Sequence, residues 1–131
     1  MGSFADFWEN EILDHLFGKG SYTPPTIYVG LSTADPLDNA SGLAEPSGNG
    51  YARVATAAVD WDTASGGLID NANQIDFPTA TGSWGTITHF ALFDALSGGN
   101  MLAHGQLTES KGVISGDAPK FVAGDLDVTL D

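Results

Sequence analysis

The sequence predicts a mainly β protein: a single-domain antiparallel β-sandwich with one N-terminal amphipathic helix. Three observations carry that expectation. The first is GSWGTITHFALFDALSGGNMLAHG, residues 82–105, where two apolar runs flank the turn residues Ser97, Gly98, Gly99 and Asn100. These turn residues tolerate positive φ, so the runs at 86–94 and 101–105 read as an antiparallel hairpin. Simple alternation puts Ile87, His89, Ala91 and Phe93 on one face, and Thr88, Phe90 and Leu92 on the other. A strand apolar on both faces belongs at the centre of a sheet. The second is the recurrence of short alternating segments with turn signals about every 8–12 residues, the pattern of a sandwich. The third is length: 131 residues make one domain. A chain of this size buries roughly two-thirds of its unfolded surface and needs no staple.

The helix is expected over residues 3–17, with Ser3 as N-cap, Asp6 completing an acidic capping box, and Gly18 and Gly20 as the stop. Asp6, Glu9 and Glu11 lie toward its positive end; His15 and Lys19 lie at the other, where cations are favoured. Phe4, Trp8, Ile12 and Leu16 step by four, with Phe7, Leu13 and Phe17 beside them, so the apolar stripe is broad. Such a helix either covers an open end of the sandwich or docks on a partner. The division expected is 1–20 for helix and cap and 21–131 for the sandwich.

Pro24 and Pro25 stiffen the connector to TIYVGLS, which alternates with Ile27, Val29 and Leu31 inward and Tyr28, Gly30 and Ser32 outward. Residues 33–50 are rich in Asp, Asn, Ser, Gly and Pro and lack periodicity. A loop this long tends to be functional or mobile and reads as a contact arm. A second strand is expected over 51–61, short ones near 68–69 and 73–77, and a continuation of the hairpin's second arm to 110. A turn-rich piece then spans 111–117. The last strand, 121–131, turns Leu126, Val128 and Leu130 inward and Asp125, Asp127, Thr129 and Asp131 outward.

Charge is the compositional outlier: 17 Asp and Glu against 4 Lys and Arg, a net −13. The cations Lys19, Arg53, Lys111 and Lys120 are scattered, so neither nucleic acid nor an anionic membrane is an expected partner. Cysteine is absent, which removes disulfides and thiolate metal sites. The opening MGSFADFWENEILD carries acids where a secretory signal carries Lys or Arg, so no signal is read there.

Candidate chemistry is sparse. His89 and His104 lie on the two hairpin arms and, with Asp94, could form a two-His, one-carboxylate site, but the spacing matches no motif. Asp60-Trp61-Asp62 and Asp125-Leu126-Asp127 are not followed by a calcium loop and read as solvated strand faces. Ser83 in GSWG is not a nucleophile elbow. The expectation is no enzyme, no catalytic residue, no cofactor and no metal. Trp61 and Trp84 remain open as stacking platforms of a carbohydrate-binding module.

SYTPPTIYVGLSTADP, EPSGNGYARV, the long segment from IDFPTATGSWGTITHFALFD to GVISGD, and FVAGDLDVTL together resemble a family of small tailed-phage virion proteins. Members are labelled tail fibre proteins, and some are similar to head decoration proteins. The resemblance implies a β-sandwich structural protein without catalytic residues. A fibre spans distance through repetitive shafts, and this chain has no repeat. Compactness therefore points to a capsid decoration or cement protein on the capsid exterior, bound to the major capsid protein or other virion subunits and forming a homo-oligomer, with a trimer favoured. The alternative is a tail-fibre, tail-tip or baseplate module in host attachment. The expected interface is Phe4, Phe7, Trp8 and Ile12 of the helix segment with Pro36, Leu37, Leu43 and Pro46 of the long loop.

Overall fold

The computed structural model describes residues 2–130. The hairpin is its centre: β6 (Gly85–Phe93) pairs with β7 (Met101–Val113). Around it lie β1 (Gly2–Phe4), α1 (Asp6–Leu16), β2 (Tyr28–Ser32), β3 (Val54–Ala55), β4 (Leu68–Asp70) and β9 (Asp127–Thr129). They form one curled sheet in the order β3-β2-β6-β7-β1-β9-β4. A small sheet of β5 (Ile75–Asp76) and β8 (Lys120–Phe121) makes the second layer. Its Phe121 meets Phe77 and Phe90 edge-on, at centroid distances of 6.1 and 6.2 Å. The core between the layers holds Val29, Leu31, Ile75, Phe77, Ile87, Phe90, Val113, Leu126 and Val128. The architecture is the expected mainly β, single-domain fold with one N-terminal helix.

Several local expectations are corrected. Ser3 does not cap a helix, because Gly2–Phe4 is a strand inside the sheet, antiparallel to β7 and parallel to β9. A Cβ on Gly2 would lie 2.5 Å from the Phe90 ring, so only glycine lets this strand settle. The helix starts after Ala5, which offers no side-chain cap. Its carbonyl accepts from the Trp8 and Glu9 amides, and its own amide donates to Leu102. Ile87 is not on the face of Ala91 and Phe93. A bulge between Ile87 and His89 shifts the register and turns Ile87 inward with Phe90 and Leu92. The second hairpin arm runs to Val113, absorbing residues read as a turn. The strand expected over 51–61 shrinks to Val54–Ala55, followed by a 3-10 turn at Ala58–Asp60. Leu130 is exposed beyond the end of β9, and Asp131 lies outside the described residues.

Gly30 and Ser32 do not face water. The long loop lies over the outer face of the sheet, where Leu43 and Ala40, together with Tyr28 of β2, pack on Ala91, Phe93, Met101 and Ala5. Ser32 Oγ donates to the Ala34 carbonyl and accepts from the Ala34 and Ala44 amides. Buried Arg53 stacks 3.4 Å above the Phe93 ring, forms a two-pronged pair with Glu45, and donates to the Ala95 and Gly98 carbonyls of the hairpin turn. One guanidinium thus ties the loop, the sheet and the turn together.

Candidate functional site

At the helix end of the molecule the small sheet leaves part of the inner face uncovered. There an open cleft of about 450 Å³ is walled by Phe4 of β1, Trp8 of α1, Ile27, Trp61, Ile69 of β4, Leu92, Leu102 and Val128, with Asp62 and Thr63 among its polar residues. Each wall comes from a different segment, and the lining is almost wholly apolar. Such a cleft is a default place for a ligand or an inserted side chain. Trp61 is fixed by its indole N–H, which donates to Thr56 Oγ1 at 2.9 Å. Asp60 accepts from the Ala57 amide and from Asn73 Nδ2. These two hydrogen bonds, the backbone one first, hold its carboxyl below the usual carboxylate range.

The helix beside the cleft has no buried residue. Trp8 and Ile12 are half-buried, and Tyr22 folds back to set its ring edge-on against both Trp8 and His15, each at 4.8 Å. On another side of the helix, Leu13, Leu16 and Phe17 are 54, 72 and 70% exposed. The helix therefore carries two apolar stripes, one against the body and one in water.

The structure divides the expected interface residues. It brings Phe4 and Trp8 together as cleft walls. Ile12 lies one turn further along the helix, and Phe7 is exposed with its ring 6.3 Å from that of Trp8. Pro36 is fully buried under its own loop and presents no surface to a partner. Leu43 and Pro46 are half-buried, and Leu43 is spent on the outer-face cluster. Leu37 alone among the four loop residues is exposed, at a left-handed φ of 61°. The stripe at Leu13, Leu16 and Phe17 was visible as an i, i+3, i+4 pattern, but the step-by-four reading merged it with the Trp8 side. Trp61 stood out only as an open stacking platform and not as a cleft wall, and Ile69 and Leu102 had no local signal, since the walls converge from distant segments.

The other candidates resolve as structural. His89 and His104 do share the outer face, but their carboxylate neighbours are on the long loop. His104 Nε2 lies 2.7 Å from Asp38, and each ring lies 4.0 Å from Asp35. Asp94 is instead committed to the hairpin turn, accepting from the amide and side chain of Asn100. Among the described residues, no group of three or more His, Asp or Glu is arranged to hold a metal ion. Trp84 is 4% exposed and donates to the Asn49 carbonyl, so it offers no stacking platform. Ser83 Oγ accepts from the Gly85 amide and serves the turn into β6. Among the described residues no helix is long and apolar enough to cross a membrane.

Residues 3–129 match the family described as Podophage GP4 fiber I protein gp80. The chain belongs to that family. The match runs from β1 through β9, so it takes in the helix, the cleft and the pinned loop together. No curated protein matches the chain. Membership in the gp80 family gives the protein a structural role in a phage virion, of the fibre type. It also turns the choice between the two virion readings. The fibre description fits the tail alternative better than the capsid decoration that compactness had favoured.

Proposed function

We propose that this protein is a small structural module of the tail-fibre apparatus, held among neighbouring virion subunits by its helix-and-cleft end. The observation that carries the reading is the family match to a podophage fibre protein over residues 3–129. The distribution of apolar surface supports it. Several exposed apolar side chains gather on one helix beside one apolar cleft, while those elsewhere, such as Leu96 and Ile114, stand singly on an acidic surface that disfavours unspecific contact. The absence of a repeat supports a head, joint or tip of a fibre over its shaft.

The test is location and copy number on intact particles. Gold-labelled antibody is expected at the tail, and quantitative gels are expected to give far fewer copies than the major capsid protein. Label spread over the head, at a copy number near that of the capsid subunit, sinks the tail assignment and restores the decoration reading.

A further inference from the structure

We propose that the Trp8–Trp61 cleft takes a basic segment of a different virion subunit: an apolar side chain inserted into the cleft, with Lys or Arg on either side of it. The inference rests on the proposed docking role of this end of the molecule and names the chemistry of what docks there. Phe4, Trp8 and Trp61 supply three aromatic walls, and Asp62 is the only charged residue in the lining. The apolar surface does not stop at the rim. Phe7 and Val59, next in sequence to the lining residues Trp8 and Ala58, are 37 and 74% exposed. An occupant that covers them as well is larger than the cleft, a stretch of chain and not a small molecule.

The surrounding charge selects the stretch. Residues 6–20 carry Asp6, Glu9, Glu11 and Asp14 against Lys19 alone, with histidine counted as neutral. Residues 58–70, which bring Trp61 and Ile69 to the cleft, carry Asp60, Asp62 and Asp70 and no Lys or Arg. Asp60 is held in its charged form by the Ala57 amide and the Asn73 side chain. The other cations are placed elsewhere. Arg53 is spent on Glu45, and Lys111 and Lys120 line a separate groove beside Phe121. Both segments that wall the cleft are thus acidic without local compensation. Such a field draws in a basic segment and repels acidic ones, further copies of this net −13 chain included. Aromatic ring faces add to the preference, since they attract ammonium and guanidinium groups. Exposed ion pairs are individually weak, so the buried anchor supplies most of the affinity and the charges supply the choice.

The test uses the full chain and three short dye-labelled peptides that share a central Phe-Leu anchor and differ in their flanks, which are Lys, Ser or Glu. Fluorescence anisotropy is expected to show the Lys-flanked peptide binding tightest, at least about tenfold tighter than the Glu-flanked one, and weakening as salt rises. In nitrogen-15 NMR spectra it is expected to move the indole N–H signals of Trp8 and Trp61 and to leave that of buried Trp84 in place. Asp62→Asn is expected to weaken the Lys-flanked peptide about two- to fivefold and to leave the Ser-flanked one unchanged. Asp62→Lys is expected to narrow the gap between the Lys- and Glu-flanked peptides, a change that misfolding does not produce. The proposal is overturned if the three peptides bind alike, if none binds, or if binding leaves the Trp8 and Trp61 signals unmoved. Should no peptide bind while Thr63→Trp, which fills the cleft, strips the protein from the tails of particles, the partner has a different chemistry. The proposed function then stands and this inference does not. Should the protein prove to lie on the head while the Lys-flanked peptide binds as expected, the tail assignment falls and this inference stands.

Discussion

The long loop and the helix exchange the roles that their compositions suggest. Residues 33–50 are polar, turn-rich and without periodicity, yet they are fastened to the sheet by Ser32, by the Arg53–Glu45 pair and by His104 on Asp38. Leu37 and Ala40 hold left-handed backbone there, a conformation that costs about 1–2 kcal/mol for each such residue and persists only where the surroundings over-determine it. The helix has the regular hydrogen bonds and the aromatic side chains, yet none of its residues is buried. Order in this protein follows buried polar anchors and close approach. Gly30 shows the same point, for a Cβ there would meet Phe93, Tyr51 and Glu45 within 2.9–3.1 Å. An irregular segment with several satisfied anchors is more firmly held than a regular one that lies on the surface.

This contrast can be broken at either end. Arg53→Ala is expected to have the largest effect. It leaves Glu45 partly buried without its cation and frees the Ala95 and Gly98 carbonyls, at about 3–5 kcal/mol by denaturant unfolding. A loss below about 1 kcal/mol would show that the loop is not pinned as described. The same cluster has an alkaline signature. Tyr51 accepts from the Leu31 amide and donates to Glu45, and burial chiefly, with the Glu45 contact adding to it, pushes its phenol well above the ordinary range. The folded state thus keeps a proton that the unfolded chain releases. Stability from this group is complete below about pH 10, the unfolded tyrosine value, and falls as pH rises beyond it. Unfolding titrations from pH 9 to 11 should show that decline in the wild type and a shallower one in Tyr51→Phe.

Ser32→Ala should cost about 1–3 kcal/mol, because the half-buried Ala44 amide loses an acceptor. Hydrogen exchange at Ala34 and Ala44 should accelerate with it, and unchanged protection would count against the anchor. Trp8→Ala is expected to cost less, about 1–2 kcal/mol, since its ring is only half-buried, and unfolding should stay cooperative. If Trp8→Ala unfolds the domain, the helix belongs to the core and the contrast fails. The smallest effect is expected for Leu16→Ser, within about 0.5 kcal/mol for a side chain 72% exposed in the isolated chain. Helix amides should exchange faster than those of Ala34 and Ala44 in the wild type.

The sequence by itself determined the sandwich class, the central hairpin, the existence of the helix and the acidic surface. Each is written in local periodicity, turn residues or composition, which are read over a few neighbouring positions. Tertiary structure decided what depends on distant partners. Gly2 pairs with Gly105 and Val128, so a segment with good helix-capping residues becomes a strand of the sheet. The bulge after Ile87 reverses its face, because register against β7 is fixed by packing and not by alternation alone. Loop 33–50 became a lid because Arg53, Ser32 and His104 lie beneath it, and nothing within its own residues announces them. The cleft is the extreme case. Phe4, Trp8, Trp61, Leu92, Leu102 and Val128 are ordinary core-type residues in their own segments, and only the meeting of the main sheet, the helix and the segment around Trp61 turns them into one concave apolar surface.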